Sequence, residues 1–212
     1  MDKHILVFGT STTYGAWDSE GGWVARLRKH IDKEVNSDGE NFVLVYNLGV
    51  SGDKSADILK RFKAETEVRK GHNGEEVIVF FHLGINDSIY NQQLGTTEVF
   101  LEKFRENLTK LITMAKKYSK GIVIIGSMPV DSRVDPMPWS PGRSYQNEHV
   151  EKFNEVMKEV AEKEKVGFIE IFQEFIEEDY SKLLADGVHM NDKGHEEFYE
   201  IVKDYLVENK VI

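Results

Sequence analysis

Four short runs of nearly unbroken apolar residues punctuate the chain, at positions 5–9, 42–49, 77–84 and 121–127, with a weaker fifth at 166–171. They are rich in β-branched and aromatic residues and show little apolar–polar alternation. That pattern predicts strands covered on both faces, as in a parallel sheet. Between them the apolar spacing changes to three and four. Trp23, Leu27 and Ile31 share one face, as do Phe100, Phe104, Leu108, Leu111, Ile112 and Ala115. The same period recurs at Val150, Phe153, Met157, Val160 and Ala161, and at Phe198, Ile201, Val202, Tyr205 and Leu206. This spacing predicts amphipathic helices. Strand and helix therefore alternate along the chain, which predicts an open α/β sheet with helices on both faces. Residues 127–144 break the pattern: they hold all four prolines and predict neither regular helix nor regular strand. Such a loop is either a cover over a site or a surface excursion.

Composition narrows the picture. At 212 residues and 40% hydrophobic, the chain can fill the core of a single domain spanning 1–212, and no linker or internal repeat divides it. There is no cysteine, which removes disulfides, thiolate metal sites and a cysteine nucleophile from consideration. The formal net charge is −10 and no long Lys/Arg run is present, so no nucleic-acid partner is expected. No apolar run approaches the roughly 18 residues of a membrane span, and the apolar stretch before Gly9 is too short for a signal-peptide core. The expectation is a soluble, cytoplasmic protein; oligomeric state is not legible.

In open α/β folds, ligands bind beyond the carboxyl ends of the strands. Four segments fall there: GTSTTYG after the first strand, GVSGDKS after the second, GINDS after the third, and the proline-rich loop after the fourth. A serine hydroxyl attacks well only when a base takes its proton, and a histidine oriented by a carboxylate is the usual base. Ser11 sits just after the first strand, at the expected start of a helix. Asp186 and His189, three residues apart before the last helix, can meet in one tight turn. Gly52 offers an unobstructed backbone N–H, Asn86 a side-chain amide, and Ser11 its own N–H; together these are candidate donors to a developing oxyanion.

These blocks, FGTSTTYG, NLGVSGDKS, HLGINDS and DGVHMNDKGH, resemble those of the SGNH (GDSL-type) hydrolases in order, spacing and strand context along nearly the whole chain. The resemblance implies a flavodoxin-like three-layer α/β/α sandwich with a five-stranded parallel sheet. It implies Ser11 as nucleophile, Ser11, Gly52 and Asn86 as oxyanion hole, and Asp186 and His189 as orienter and base. The implied activity is cleavage of carboxylic esters through an acyl-enzyme, the partner a small-molecule ester (short acyl, acetyl, acetylated sugar or lysophospholipid), with no cofactor and no metal. Two positions depart from the family pattern: Thr10 stands where Asp is usual, and Met190 where proline often follows the histidine.

Rival readings attach to several residues. Asp192 and His195 repeat the Asp-x-x-His spacing, but Asn191 and Asp192 look like the cap and first residue of the last helix, which would put His195 inside it. Four groups spaced by three on a helix drift about 60° per step, so Asp186, His189, Asp192 and His195 could not all reach one ion. Asp87 reads as structural. His4, His30, His72, His82 and His149 read as surface or satisfied core residues. Tyr14, Trp17 and Trp139 are candidates to line a substrate pocket, while Trp23, on a helix stripe, reads as core. A flavodoxin-like flavin carrier would use GTSTTYG as a phosphate loop, but it leaves GINDS and DGVH unexplained. A non-catalytic relative binding carbohydrate or lipid is the reading that Thr10 keeps open.

Overall fold

A computed structural model describes residues 2–39, 42–119, 121–177 and 179–212. In chain order the main elements are β1 (Lys3–Gly9), α1 (Ser11–Tyr14), α2 (Gly22–His30), β2 (Val43–Gly49), α3 (Ser55–Glu67) and β3 (Glu76–His82). There follow β4 (Tyr90–Asn91), β5 (Thr96–Thr97), α4 (Leu101–Ala115), β6 (Gly121–Ile125) and β7 (Arg143–Ser144). The chain then forms α5 (Asn147–Glu164), β8 (Gly167–Ile169), α6 (Phe172–Ile176) and α7 (Asp192–Glu208).

Five strands form one parallel sheet in the order β2-β1-β3-β6-β8. Counting only these five, the order is 2-1-3-4-5, the flavodoxin-like doubly wound arrangement. Alternation along each strand supplies two cores. Ile5, Val7, Phe80 and Ile125 face α2 and α7, where Trp23, Leu27, Phe198 and Leu206 close over them. Leu6, Phe8, Val79 and Phe81 face the other way, onto Phe62, Phe104, Leu108, Phe153 and Met157 of α3, α4 and α5. The three-layer sandwich expected from the sequence is thus the fold observed. Among the described residues no helix is long and apolar enough to cross a membrane.

The proline-rich segment is largely irregular, as expected, yet it is neither loose nor wholly superficial. Val130, Val134 and Met137 bury with Ile85, Ile89 and Phe172 in a third small core. Its last two residues form β7, which pairs antiparallel with β4 in a separate three-stranded sheet, β5-β4-β7. The neighbouring switch point, where β1 and β3 lie side by side and their connections run to opposite faces, is where this topology leaves a crevice. The site lies there.

Candidate active site

β1 delivers Ser11 to the sheet rim through a turn that demands a small residue. A Cβ on Gly9 would meet Thr13 Oγ1 at 2.0 Å and the His82 carbonyl oxygen at 2.7 Å. Thr10 is fully buried and its hydroxyl lies 3.3 Å from that of Thr12, so this turn buries no carboxylate beside Ser11. α1 is a single turn, stopped by Gly15 in the left-handed region (φ 98°). Ser11 therefore stands at a helix start, as expected.

The opposite wall comes from the segment before α7. The Ala185 N–H donates to the His189 carbonyl (2.8 Å), closing a tight loop around Gly187, whose φ of +103° suits glycine. Within that loop Asp186 Oδ1 accepts the backbone N–H groups of Val188 (3.1 Å) and His189 (2.9 Å). Asp186 Oδ2 lies 2.7 Å from His189 Nδ1, and His189 Nε2 lies 2.9 Å from Ser11 Oγ. Hydroxyl, imidazole and carboxylate thus form one continuous hydrogen-bonded chain joining parts of the sequence 178 residues apart. Burial opposes ionisation of Asp186. The ring and backbone N–H groups of His189 outweigh it and hold the carboxyl well below the usual carboxylate range. With Asp186 ionised, the imidazole is fixed with Nδ1–H toward the carboxylate and the Nε2 lone pair toward the hydroxyl.

Two further groups converge on the same point. Gly52 has φ +83°, and a Cβ there would meet nothing within 4 Å. Its glycine is therefore required by backbone conformation and by open approach, not by packing. Asn86 Oδ1 accepts the Tyr145 hydroxyl (2.7 Å), while Nδ2 donates one hydrogen to the Asp53 carbonyl (3.0 Å). The Asp53 carbonyl, which only accepts, defines which end of the amide is NH₂, and among the described residues the second hydrogen of Nδ2 has no partner. Asp87, next in sequence, points away and accepts from the Ser55 N–H and hydroxyl at the start of α3. Burial pushes its carboxyl up to about 6 against those donors. Asp87 is a tie between β3 and α3, not a group at the cleft.

The cleft, about 430 Å³, is lined by these residues together with Trp17, Ser51, Trp139 and Tyr145. Trp139, 54% exposed, forms part of its wall from the proline-rich segment. Tyr14, also expected at a pocket, is 63% exposed on α1 and is not among the lining residues. Met190, in the place where proline often follows, is buried against the α7 side of the sheet. His195 falls inside α7 and is fully buried. Its Nδ1 accepts the Trp23 N–H (3.2 Å) and its Nε2 faces the Ala16 carbonyl (3.2 Å), so it is committed to backbone groups away from Ser11. Arg133 fastens the proline-rich segment to the histidine loop. It pairs with Asp131 (2.6 Å) and donates to the carbonyls of Ala185 (2.9 Å) and Leu184 (3.1 Å). Neither Tyr145 nor Arg133 was marked by sequence alone, because their roles depend on partners brought close only by the fold.

Sheet order, crevice position and this polar chain define an α/β/α hydrolase. The GDSL-like Lipase/Acylhydrolase family model matches residues 7–197, and the chain belongs to that family, whose enzymes hydrolyse carboxylic esters. It is similar to the isoamyl acetate-hydrolyzing esterase of Saccharomyces cerevisiae, with 27% identity over 219 residues covering 93% of this chain and 83% of that protein. In fold it is similar to a lipase/acylhydrolase from Enterococcus faecalis, with TM-score 0.74, 24% identity and coverage of 96% of this chain and 95% of that one. An acetylxylan esterase from Geobacillus stearothermophilus aligns with TM-score 0.72 and 21% identity over 97% of this chain and 93% of its own. Family membership disfavours the flavin-carrier reading.

Proposed function

We propose that the chain is a serine esterase acting on short acyl or acetyl esters of neutral alcohols through an acyl-enzyme intermediate. The observation that carries the reading is the 2.9 Å contact between Ser11 Oγ and His189 Nε2, continued by the 2.7 Å contact to Asp186. Ser11 Oγ attacks the ester carbonyl carbon as its proton passes to His189 Nε2. The carbonyl oxygen becomes an oxyanion facing the Ser11 N–H, the Gly52 N–H and the free hydrogen of Asn86 Nδ2. Collapse breaks the C–O bond, and His189 returns the proton to the departing alkoxide oxygen. A water molecule then gives its proton to the same Nε2 and attacks the acyl carbon, and a second collapse releases the acid and restores Ser11. Asp186 remains ionised throughout and stabilises the imidazolium.

Neutral substrates are favoured by the lining: none of the described residues around the cleft is Lys or Arg, while Trp17 and Trp139 offer aromatic faces. The proline-rich segment 127–144 serves in this reading as a fixed wall of the site within a single 1–212 domain, with Trp139 contacting substrate. Ser11→Ala is expected to reduce hydrolysis of p-nitrophenyl acetate by at least about 10³-fold and to abolish labelling by a fluorophosphonate probe, with an unchanged circular dichroism spectrum. Retained turnover in a folded Ser11→Ala protein would move the nucleophile elsewhere. A chain-length series from acetyl to decanoyl, run beside acetylated sugars, then ranks acyl and alcohol preference.

A further inference from the structure

The exposed indole of Trp17 carries an unexpected contact. Its Nε1–H donates to Asp186 Oδ2 at 2.8 Å, the same oxygen that faces the His189 ring, and it stands 3.1 Å from His189 Nδ1. The indole meets the imidazole edge to face, with ring centroids 5.9 Å apart and planes at 90°. Trp17 is 63% exposed, so burial of its ring does not account for this placement.

The backbone points the same way. Trp17 has φ +67°, a conformation that a bulky residue adopts only when its surroundings impose it. Those surroundings are explicit. The Ala16 carbonyl is held by His195 Nε2 at 3.2 Å. The buried Asp18 carboxylate takes the Gly22 N–H (2.7 Å) and pairs with Arg26 (2.8 Å). Ser19 donates its N–H (2.9 Å) and hydroxyl (2.6 Å) to Asp192. The second Asp-x-x-His repeat, Asp192 and His195, thus grips both sides of Trp17, while the first repeat, Asp186 and His189, receives its N–H.

We propose that Trp17 is a positioning residue that weakens the hold of Asp186 on His189, with Asp192 and His195 serving as the clamp that keeps it there. The inference rests on the reading of Ser11, His189 and Asp186 given above. A donor on Oδ2 draws charge from the oxygen that would otherwise stabilise the imidazolium alone, and its positive N–H end faces the Nδ1–H side of the ring. Both effects weaken the attraction between Asp186 and an imidazolium at His189, and removing the indole N–H restores it. The other charged and titratable groups about this pair are Asp131 with Arg133 from the proline-rich segment, Tyr145 just after it, and Asp18 with Arg26 and Asp192 beyond the indole. The two arginines are each paired with an aspartate, which leaves the indole as the neutral donor directly on Oδ2.

Trp17→Phe is the discriminating variant, because a phenyl ring still screens Asp186 from water but offers no N–H. In a profile of kcat/KM for p-nitrophenyl acetate between pH 5 and 9, the acid limb is expected to move to higher pH by about half a unit. The low-field Nδ1 proton of His189, observed by NMR, is expected to move further downfield as its bond to Asp186 shortens. A second measurement uses the unaltered protein: the Trp17 Nε1–H resonance should titrate with the midpoint of the acid limb. An acid limb that stays in place or moves down in Trp17→Phe, or an indole resonance indifferent to pH across that limb, overturns the inference. Those results would leave the esterase reading intact, since that reading fails only if Ser11→Ala still turns over ester.

Discussion

Asn86 illustrates how little separates a useful amide from a harmful one. Its two ends are almost the same shape, and in the proposed reaction a flipped amide would turn a carbonyl oxygen toward the developing oxyanion. The Asp53 carbonyl on Nδ2 opposes that flip, because it accepts only, and the Tyr145 hydroxyl, donating to Oδ1, holds the amide plane in the orientation so fixed. Tyr145→Phe removes the second contact and leaves a buried acceptor short of a donor. We expect kcat to fall roughly tenfold with KM little changed, a fraction of the 10²- to 10³-fold loss typical when a whole oxyanion donor is deleted. Steady-state kinetics on p-nitrophenyl acetate check it. An unchanged kcat would mean that Asp53 alone sets the amide. At this scale the sequence was legible wherever chemistry forces a residue type: Ser11, Asp186 and His189 stand in contact, and Gly52 and Asn86 line the same cleft. Tyr145 was not legible, because it meets Asn86 across 59 residues of chain and carries no local pattern.

At the scale of elements, one side chain of α3 gathers the ends of two strands and the loop that carries Gly52. Arg61 pairs with Asp53 through Nε (2.7 Å), while Nη2 donates to the carbonyls of Leu48 (2.8 Å) and Gly9 (3.3 Å). Its guanidinium lies over the Phe8 ring at 5.6 Å. Asp53 in turn offers its own carbonyl to Asn86, so the ion pair braces both Gly52 and Asn86. Lysine cannot reproduce this planar fork. Arg61→Lys is expected to lower unfolding free energy by about 1–3 kcal/mol and to depress kcat, read by urea titration and by kinetics. Parent-like values in both would show the brace to be dispensable. The helices were legible where a wide apolar stripe packs on the sheet, as at Phe104, Leu108 and Leu111 or Phe153, Met157 and Val160, all buried. Phe100, assigned to the same stripe, precedes α4 and is exposed. α3 left no comparable stripe, because its buried positions include Ser55 and Thr66 beside Ile58 and Phe62. β4, β5 and β7 are two residues each, too short for any period to register.

For the whole molecule, the buried titratable groups set the acid limit of stability. His82 lies behind α1 with Nδ1 3.0 Å from Thr13 Oγ1, and burial, with His195 nearby, pushes it from 6.5 down to about 3. Its pKa is lower folded than unfolded, so its contribution is intact above pH 6.5 and is lost as pH falls toward 3. Between pH 7 and 5 this amounts to about 2 kcal/mol. Asp87 acts in the opposite sense: raised to about 6, it favours the folded state as pH falls through that value and offsets about 1 kcal/mol over the same interval. We therefore expect His82→Gln to flatten the fall in urea midpoint between pH 7 and 5, whatever its midpoint at pH 7. An equally steep fall in that variant would shift the origin of acid lability to other groups.

The Arg133 buckle has a bearing on redesign. Because that guanidinium joins the proline-rich segment to the carbonyls of Leu184 and Ala185, and the Asp131 N–H joins it to the Gly187 carbonyl, wall and imidazole are tied to one loop. Under the proposed mechanism, transplants confined to the tip around Trp139 are expected to alter selectivity while sparing His189, whereas an exchange that takes Asp131 and Arg133 with it is expected to retune catalysis along with substrate choice.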